Sequence, residues 1–186
     1  MTATRERLMQ LLLETGSFQY SETPTFKLAS GAMSRFYVDC RVGLSHASVR
    51  QVVGQLMLEK AGNIDAAGGL LIAAYPIAIA VSDAAAAAGR SVRAFAVRKE
   101  PKAHGLGKVL EGDVKAGDRV LVVEDVITSG KSIIEAIQKC REAGLTVVKA
   151  VAMIDRQEQN GRQNIESEGV PVDALCTLED LQRIAV

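Results

Sequence analysis

Between Val120 and Ser132 the chain changes character twice, and few folds accommodate that order of residues. Val120, Leu121, Val122 and Val123 have the apolar, β-branched character of a buried strand. Glu124 and Asp125 follow, then Val126 and Ile127, and then Thr128, Ser129, Gly130, Lys131 and Ser132 lead into apolar residues at helical spacing. A strand, a ligand loop and a helix start fit this order. At the carboxyl end of a parallel strand the two acids would project into the crevice where open α/β sheets bind ligands. Carboxylates there accept hydrogen bonds from vicinal sugar hydroxyls. The hydroxyls and amides of 128–132 fall where a helix N-terminus favours an anion, through its unpaired N–H groups and its dipole. One short segment thus offers acceptors for a ribose and donors for its 5'-phosphate.

The rest of the chain supplies a frame for such a segment. Leu8, Leu11 and Leu12 share a helix face, and Gly16 stops that helix. Two short extended stretches, 26–28 and 35–40, are divided by Ser30 and Gly31, which predicts a small N-terminal β hood drawn mainly from 18–44. From Ser45 onward the pattern predicts helices over 47–61, 77–88, 132–143 and about 160–168. It predicts strands over 69–73, 92–97, 119–123, 147–154 and 172–175. Strands alternating with helices of this length indicate an α/β fold, a central parallel sheet with helices on both faces. The alanines at 84–88 suit close packing of a helix on that sheet.

With 186 residues, 48% of them hydrophobic, the chain can bury a sizeable core, and 1–186 is expected to form a single domain. Its 22 basic and 22 acidic residues cancel, so no global field draws nucleic acid or an anionic membrane. Cys40, Cys140 and Cys176 are odd in number and widely spaced, and with two histidines they suggest packing rather than a disulfide framework or a zinc site. His46, alone before a helix, reads as a surface or capping residue. The N-terminal apolar stretch is too short for a signal segment, and no window approaches a membrane span, so a cytoplasmic location is expected.

Two nucleotide motifs are excluded by single residues. Gly130, Lys131 and Ser132 match the end of a P-loop, whose first glycine would fall at 125, where Asp125 would sit against phosphates. Gly105 and Gly107 begin a dinucleotide fingerprint whose third glycine would be Leu110. More than twenty residues separate the strands that end at Val97 and begin near Val120. Arg98, Lys99, Lys102, His104 and Lys108 crowd the first half of that connection, and its length marks a functional loop that could cover a diphosphate.

The segment 120–132 resembles the phosphoribosyl pyrophosphate motif of the type I phosphoribosyltransferases. Residues 26–41, with Phe36, Tyr37, Asp39 and Arg41, resemble the N-terminal signature of the orotate phosphoribosyltransferase family, and 98–105 resemble its mobile catalytic loop. The likeness runs from about Phe18 to Arg156. It implies a type I phosphoribosyltransferase-like fold and the transfer of phosphoribosyl from 5-phosphoribosyl 1-pyrophosphate to orotate in pyrimidine biosynthesis. Another base, or a non-catalytic sensor of the sugar diphosphate, is the alternative. The resemblance further implies a homodimer with shared active sites and magnesium (Mg2+) carried by the substrate, with no metal held directly by protein side chains.

By the same likeness, Glu124 and Asp125 hold the ribose, and Val126 and Ile127 continue the motif into Thr128, Ser129, Gly130, Lys131 and Ser132, which hold the 5'-phosphate. Arg98, Lys99, Lys102 and His104 hold the diphosphate. Lys102, His104 and Asp125 are the catalytic candidates. Orotate would lie near Phe36 and Tyr37, with Thr128 on one edge and Arg156 on its carboxylate, a planar pairing that suits a guanidinium fork. Two positions depart from the pattern. Ala29 stands where many relatives carry Lys, which leaves the role of Lys27 open. Ala73, Ala74 and Tyr75 precede Pro76 where glycines are common, which affects the backbone available to a diphosphate.

Overall fold

The computed structural model describes residues 2–27, 31, 33–100 and 109–185. In chain order these form α1 (Ala3–Glu14), β1 (Phe18–Tyr20), β2 (Phe26–Lys27), β3 (Met33–Ser34), β4 (Phe36–Val38), α2 (Cys40–Leu44), α3 (Ala47–Ala61) and β5 (Ala66–Leu70). There follow α4 (Ala74–Ala87), β6 (Arg93–Val97), β7 (Leu110–Glu111), β8 (Arg119–Ile127), α5 (Lys131–Glu142), β9 (Thr146–Asp155), α6 (Gly161–Glu166), β10 (Val172–Thr177) and α7 (Leu178–Ala185). The main sheet has the order β10-β9-β8-β5-β6-β7, parallel throughout except for β7. This is the α/β architecture expected from the sequence.

Period-two alternation assigns the two cores. Leu121 and Val123 pack with α1, α3 and α4, while Val120 and Val122 pack with Ile133, Ala136 and Ile137 of α5. Each fully buried aliphatic side chain of this kind contributes about 1.5–3 kcal/mol. After β5 the chain adds β6 on one side and then crosses to place β8 on the other, so the strand order reverses between β5 and β8. Ligands of open α/β sheets bind outside the carboxyl ends of strands at such a reversal.

Several element boundaries differ from the sequence expectation. The strand expected over 69–73 is β5, Ala66–Leu70, and the helix expected over 77–88 begins at Ala74. Every residue of β5 is buried, and close approach explains its small side chains: a Cβ on Gly69 would stand 2.1 Å from the Val123 carbonyl oxygen. Pro76 lies in the first turn of α4, where a missing N–H costs nothing, so it does not delay the helix. β8 continues to Ile127 instead of ending at Val123. The long connection after Val97 contains β7, paired antiparallel with Ala96 and Val97. The final helix, α7, opens with reciprocal capping, in which Thr177 N donates to Asp180 Oδ2 at 2.8 Å and Asp180 N donates to Thr177 Oγ1 at 3.1 Å.

Near the N-terminus, β1 pairs antiparallel with β4 and β2 with β3. The rings of Phe18 and Phe36 stack at 5.8 Å, those of Tyr20 and Phe36 lie 5.3 Å apart, and Phe26 stacks on Tyr37 at 5.7 Å.

Candidate active site

The cleft forms because β5 and β9 leave β8 at different points. β5 pairs with β8 only through Gly68 and Val122, whereas β9 accompanies it to Ile127 and Asp155. Glu124 and Asp125 therefore stand on a strand supported from one side and open on the other. A cleft of about 270 Å³ lies there, lined by Val38, Asp39 and Arg41 from the N-terminal segment, Leu71–Ala73 after β5, Lys99 after β6, and Glu124, Asp125 and Ser132. Adjoining it is a smaller cavity of about 130 Å³, lined by Thr128, Ser129, Gly130, Lys131, Ser132 and Ile133. Glu124, Val126 and Ser132 line both.

Burial, and then the charge of Asp125, push the carboxyl of Glu124 up from 4.5 to about 8, against the pull of the Asp125 N–H and of Lys99. Only 6% of Glu124 is exposed. The Asp125 amide donates to Glu124 Oε1 at 3.1 Å, and the Val126 amide donates to Asp125 Oδ1 at 2.8 Å, so both side chains are oriented by backbone donors. Across the cleft, Arg41 grips Asp39 through Nε at 2.8 Å and Nη2 at 2.9 Å and holds that carboxyl below its ordinary value.

The smaller cavity is shaped by α6. Gly130 precedes α5 with φ 80, and a Cβ there would meet the Gly161 carbonyl oxygen at 2.7 Å. A Cβ on Gly161 would in turn stand 2.3 Å from the Thr128 carbonyl oxygen. Asn164 Nδ2 donates to the Ser129 carbonyl at 3.0 Å and to that of Gln159 at 3.2 Å. The turn is thus clamped between two helices, and Lys131, Ser132 and Ile133 at the start of α5 line the cavity, where a helix N-terminus favours an anion.

Comparison with known proteins supports what this geometry suggests. The phosphoribosyl transferase domain family matches residues 45–172. The orotate phosphoribosyltransferase of Aquifex aeolicus (strain VF5) is 41% identical over 179 residues, covering 95% of this chain and 97% of the relative. The chain belongs to the orotate phosphoribosyltransferase family. Among solved members, the Mycobacterium tuberculosis H37Rv orotate phosphoribosyltransferase in complex with Fe(III) dicitrate superposes with a TM-score of 0.84 at 34% identity. That match covers 96% of this chain and 98% of the other. The same enzyme in complex with 5-phospho-alpha-D-ribosyl 1-diphosphate gives a TM-score of 0.77 at 30% identity, covering 97% and 93%.

Within this family framework the sequence-derived candidates separate into groups. Glu124, Asp125, Val126, Thr128, Ser129, Gly130, Lys131 and Ser132 line the two cavities together. Ile127 is buried in the core and serves through its backbone, whose carbonyl accepts from Arg156 N at 3.0 Å. Lys99 lines the cleft, but the neighbouring Arg98 turns to Glu111 of β7, with Nη1 to Oε1 at 3.5 Å. Lys102, His104 and Ala29 lie outside the described residues. Phe36 and Tyr37 are successive residues of β4 and leave it on opposite faces, Phe36 toward Phe18 and Tyr20, Tyr37 toward Phe26. Arg156, just after β9, forms a two-pronged ion pair with Glu158.

Sequence reasoning gave no role to Asp39, Arg41, Asn164 or Lys139. Lys139 Nζ donates to the carbonyls of Arg98 at 2.9 Å and Lys99 at 2.6 Å, which ties α5 to the root of the basic loop. No local pattern marks such a residue, because a lysine in a helix is ordinarily solvated. Asp39 and Arg41 did carry a signal, since they close the N-terminal signature.

Proposed function

We propose that this chain transfers the phosphoribosyl group of 5-phosphoribosyl 1-pyrophosphate to orotate, yielding orotidine 5'-monophosphate and pyrophosphate in pyrimidine biosynthesis. The observation that carries the reading is the pair of adjoining cavities sharing Glu124, Val126 and Ser132. One has carboxylate walls and suits a ribose, and the other has hydroxyl and amide walls at the start of α5 and suits its 5'-phosphate.

In the reaction the anomeric carbon parts from a diphosphate oxygen and gains a bond to a ring nitrogen of orotate, whose N–H proton passes to the departing diphosphate or to water. Positive charge grows on the sugar and negative charge on the leaving group, so fixed charges placed at each end lower the barrier. Asp125 and Glu124 hold the ribose hydroxyls; the charge of Asp125 favours the cation-like sugar, while Glu124, whose carboxyl burial pushes up to about 8, contributes through hydrogen bonds. Lys99 faces the diphosphate from the cleft wall, Arg98, Lys102 and His104 complete the cationic side, and Lys102 is the principal stabiliser of the departing charge. Thr128 through Ser132 hold the 5'-phosphate. Arg156 meets the orotate carboxylate, with Thr128 at the ring edge and the Phe36–Tyr37 strand as the neighbouring wall.

The adjacent acids Glu124 and Asp125 on the cleft wall fit a magnesium ion that arrives on the diphosphate and takes most of its ligands from substrate and water. Bound in that way, magnesium would neutralise part of the diphosphate charge. We further propose that residues 1–186 act as one domain with a hood drawn from 18–44, and that two copies share active sites through the basic loop. A cytoplasmic location agrees with the described residues, none of whose helices is long and apolar enough to cross a membrane.

The direct test follows loss of orotate absorbance with the sugar diphosphate and magnesium. Turnover of orotate, with adenine, guanine and xanthine inert, is the expected result. Turnover of one of those purines alone would refute the base assignment, and tight sugar diphosphate binding without turnover would indicate a sensor. Replacing Lys102 by Ala should lower kcat by roughly a hundredfold, as when a donor to developing negative charge is removed.

A further inference from the structure

The segment after β9 has an unusual backbone. Gln157, Gln159 and Asn160 have φ of 58, 52 and 53, and they are the described non-glycine residues with positive φ. Asparagine visits this region readily, whereas glutamine does so at a cost and persists there when its surroundings hold it. The surroundings here are specific: Gln157 N donates to Asp155 Oδ1 at 2.8 Å, Gly161 N donates to the Glu158 carbonyl at 3.0 Å, and Asn164 Nδ2 reaches the Gln159 carbonyl at 3.2 Å. The result of this enforced turn is to bring Glu158 back onto Arg156, two residues earlier. Arg156 donates through Nε at 3.2 Å and Nη2 at 3.0 Å, while its side chain remains only 20% exposed.

We propose that Glu158 is a positioning residue for Arg156: its carboxylate occupies the Nε–Nη2 edge of the guanidinium and thereby aims the Nη1–Nη2 edge at the carboxylate of the incoming base. The inference rests on the assignment of Arg156 to orotate. A guanidinium offers two edges, each able to grip one carboxylate in parallel hydrogen bonds. An arginine on a flexible stem must freeze several torsions to present one of them, and an internal carboxylate on the first edge settles that orientation before substrate arrives. Glu158 therefore acts as a buttress to the substrate carboxylate and not as its rival. The turn also touches the phosphate side of the site, because the amide of Asn164 spans the carbonyls of Gln159 and Ser129.

The test is steady-state kinetics of E158A and E158Q, with orotate varied at saturating sugar diphosphate and then the reverse. E158A should raise KM for orotate roughly tenfold, the scale of one charge-assisted contact. KM for the sugar diphosphate and kcat should stay within about twofold, inside the scatter of uncoupled sites. E158Q keeps one acceptor oxygen against the guanidinium and should recover part of the loss, and it is judged by the same criterion if E158A does not fold. In the R156K background E158A should add nothing. An unchanged or lowered KM for orotate in E158A overturns the proposal, the lowered value marking Glu158 as a competitor. A parallel rise in both KM values with a reduced melting temperature also overturns it, since that signals general loosening of the turn. R156K with normal orotate KM sinks the assignment of Arg156 itself, whereas an impaired R156K beside a silent E158A sinks this inference alone.

Discussion

Two turns border the cleft, one after β8 and one after β5, and they are built in opposite ways. The turn over residues 128–130 is polar, enters α5 through a glycine with φ 80, and is pressed and hydrogen-bonded by α6 through Gly161 and Asn164. The turn over 71–73 is apolar, contains the cis peptide between Leu71 and Ile72, and leads into α4 without a side-chain cap. Ile72 there is 74% exposed, and the hydrogen bonds holding the turn are backbone ones, Leu71 N to Val97 O at 2.8 Å and Tyr75 N to Ile72 O at 3.3 Å. A ligand group with fixed charge calls for donors fixed in advance, and the β8 side provides them through a third element packed behind the turn. The β5 side offers backbone alone, and a change to its side chains should matter much less.

The sharpest challenge to that contrast is Gly161→Val. Its new Cβ would lie 2.3 Å from the Thr128 carbonyl oxygen, so the phosphate turn must move. We expect a stability loss of about 1–3 kcal/mol, the usual cost of overpacking. A rise of roughly a hundredfold in KM for the sugar diphosphate should accompany it, as misplaced positioning groups produce. Thermal melting and initial rates would check both, and a variant with unaltered KM would show that α6 does not set the turn.

Glu124→Gln is expected to have the next largest effect. In the folded chain Glu124 titrates near 8 instead of 4.5. Between those values the folded state holds a proton that the unfolded state has released, so parental stability falls as pH rises through that window. The amide variant lacks this slope and should gain on the parent by an amount on the order of a few kcal/mol between pH 5 and 9. Urea unfolding of the ligand-free protein at the two pH values measures the difference, and parallel curves would show that Glu124 is not held protonated. Asn164→Ala should be milder, about 1 kcal/mol in stability for its shared hydrogen bonds. KM for the sugar diphosphate should rise a few-fold, and equal KM values would place Asn164 outside the phosphate site.

The same contrast explains what could be read in advance. Residues 120–132 were legible because a short apolar run of strand type, adjacent acids and a hydroxyl-rich helix start are local signals, and residues 124–126 and 128–132 line two joined cavities. The β5 boundary was misplaced by three residues because Leu70, Leu71 and Ile72 outweigh Gly68 and Gly69 in hydropathy. The glycines are there because Phe95 and the Val123 carbonyl leave no room for more, and only the folded partner reveals that constraint. Asn164, Glu158 and Lys139 were missed for a related reason. Asn164 and Lys139 act through contacts with another segment, and their neighbours in sequence carry no trace of it, whereas Glu158 meets Arg156 only because the backbone turns at Gln157, Gln159 and Asn160 through positive φ. The capping pair Thr177 and Asp180 was a local signal for α7 and could have been used.

The smallest expected effect is also the most discriminating for the β5 side. Ile72→Ala removes an exposed side chain from a turn whose recorded hydrogen bonds run through backbone, so stability should change by less than about 0.5 kcal/mol. If this turn contributes amides alone, KM and kcat should stay within about twofold of the parent, the range of uncoupled surface changes. A larger loss of kcat would mean that the Ile72 side chain itself closes over substrate or meets a second copy of the chain. Those two causes separate by sedimentation. A variant that keeps the parental association state while losing turnover would move Ile72 into the site, and the two turns would then differ in chemistry without differing in importance.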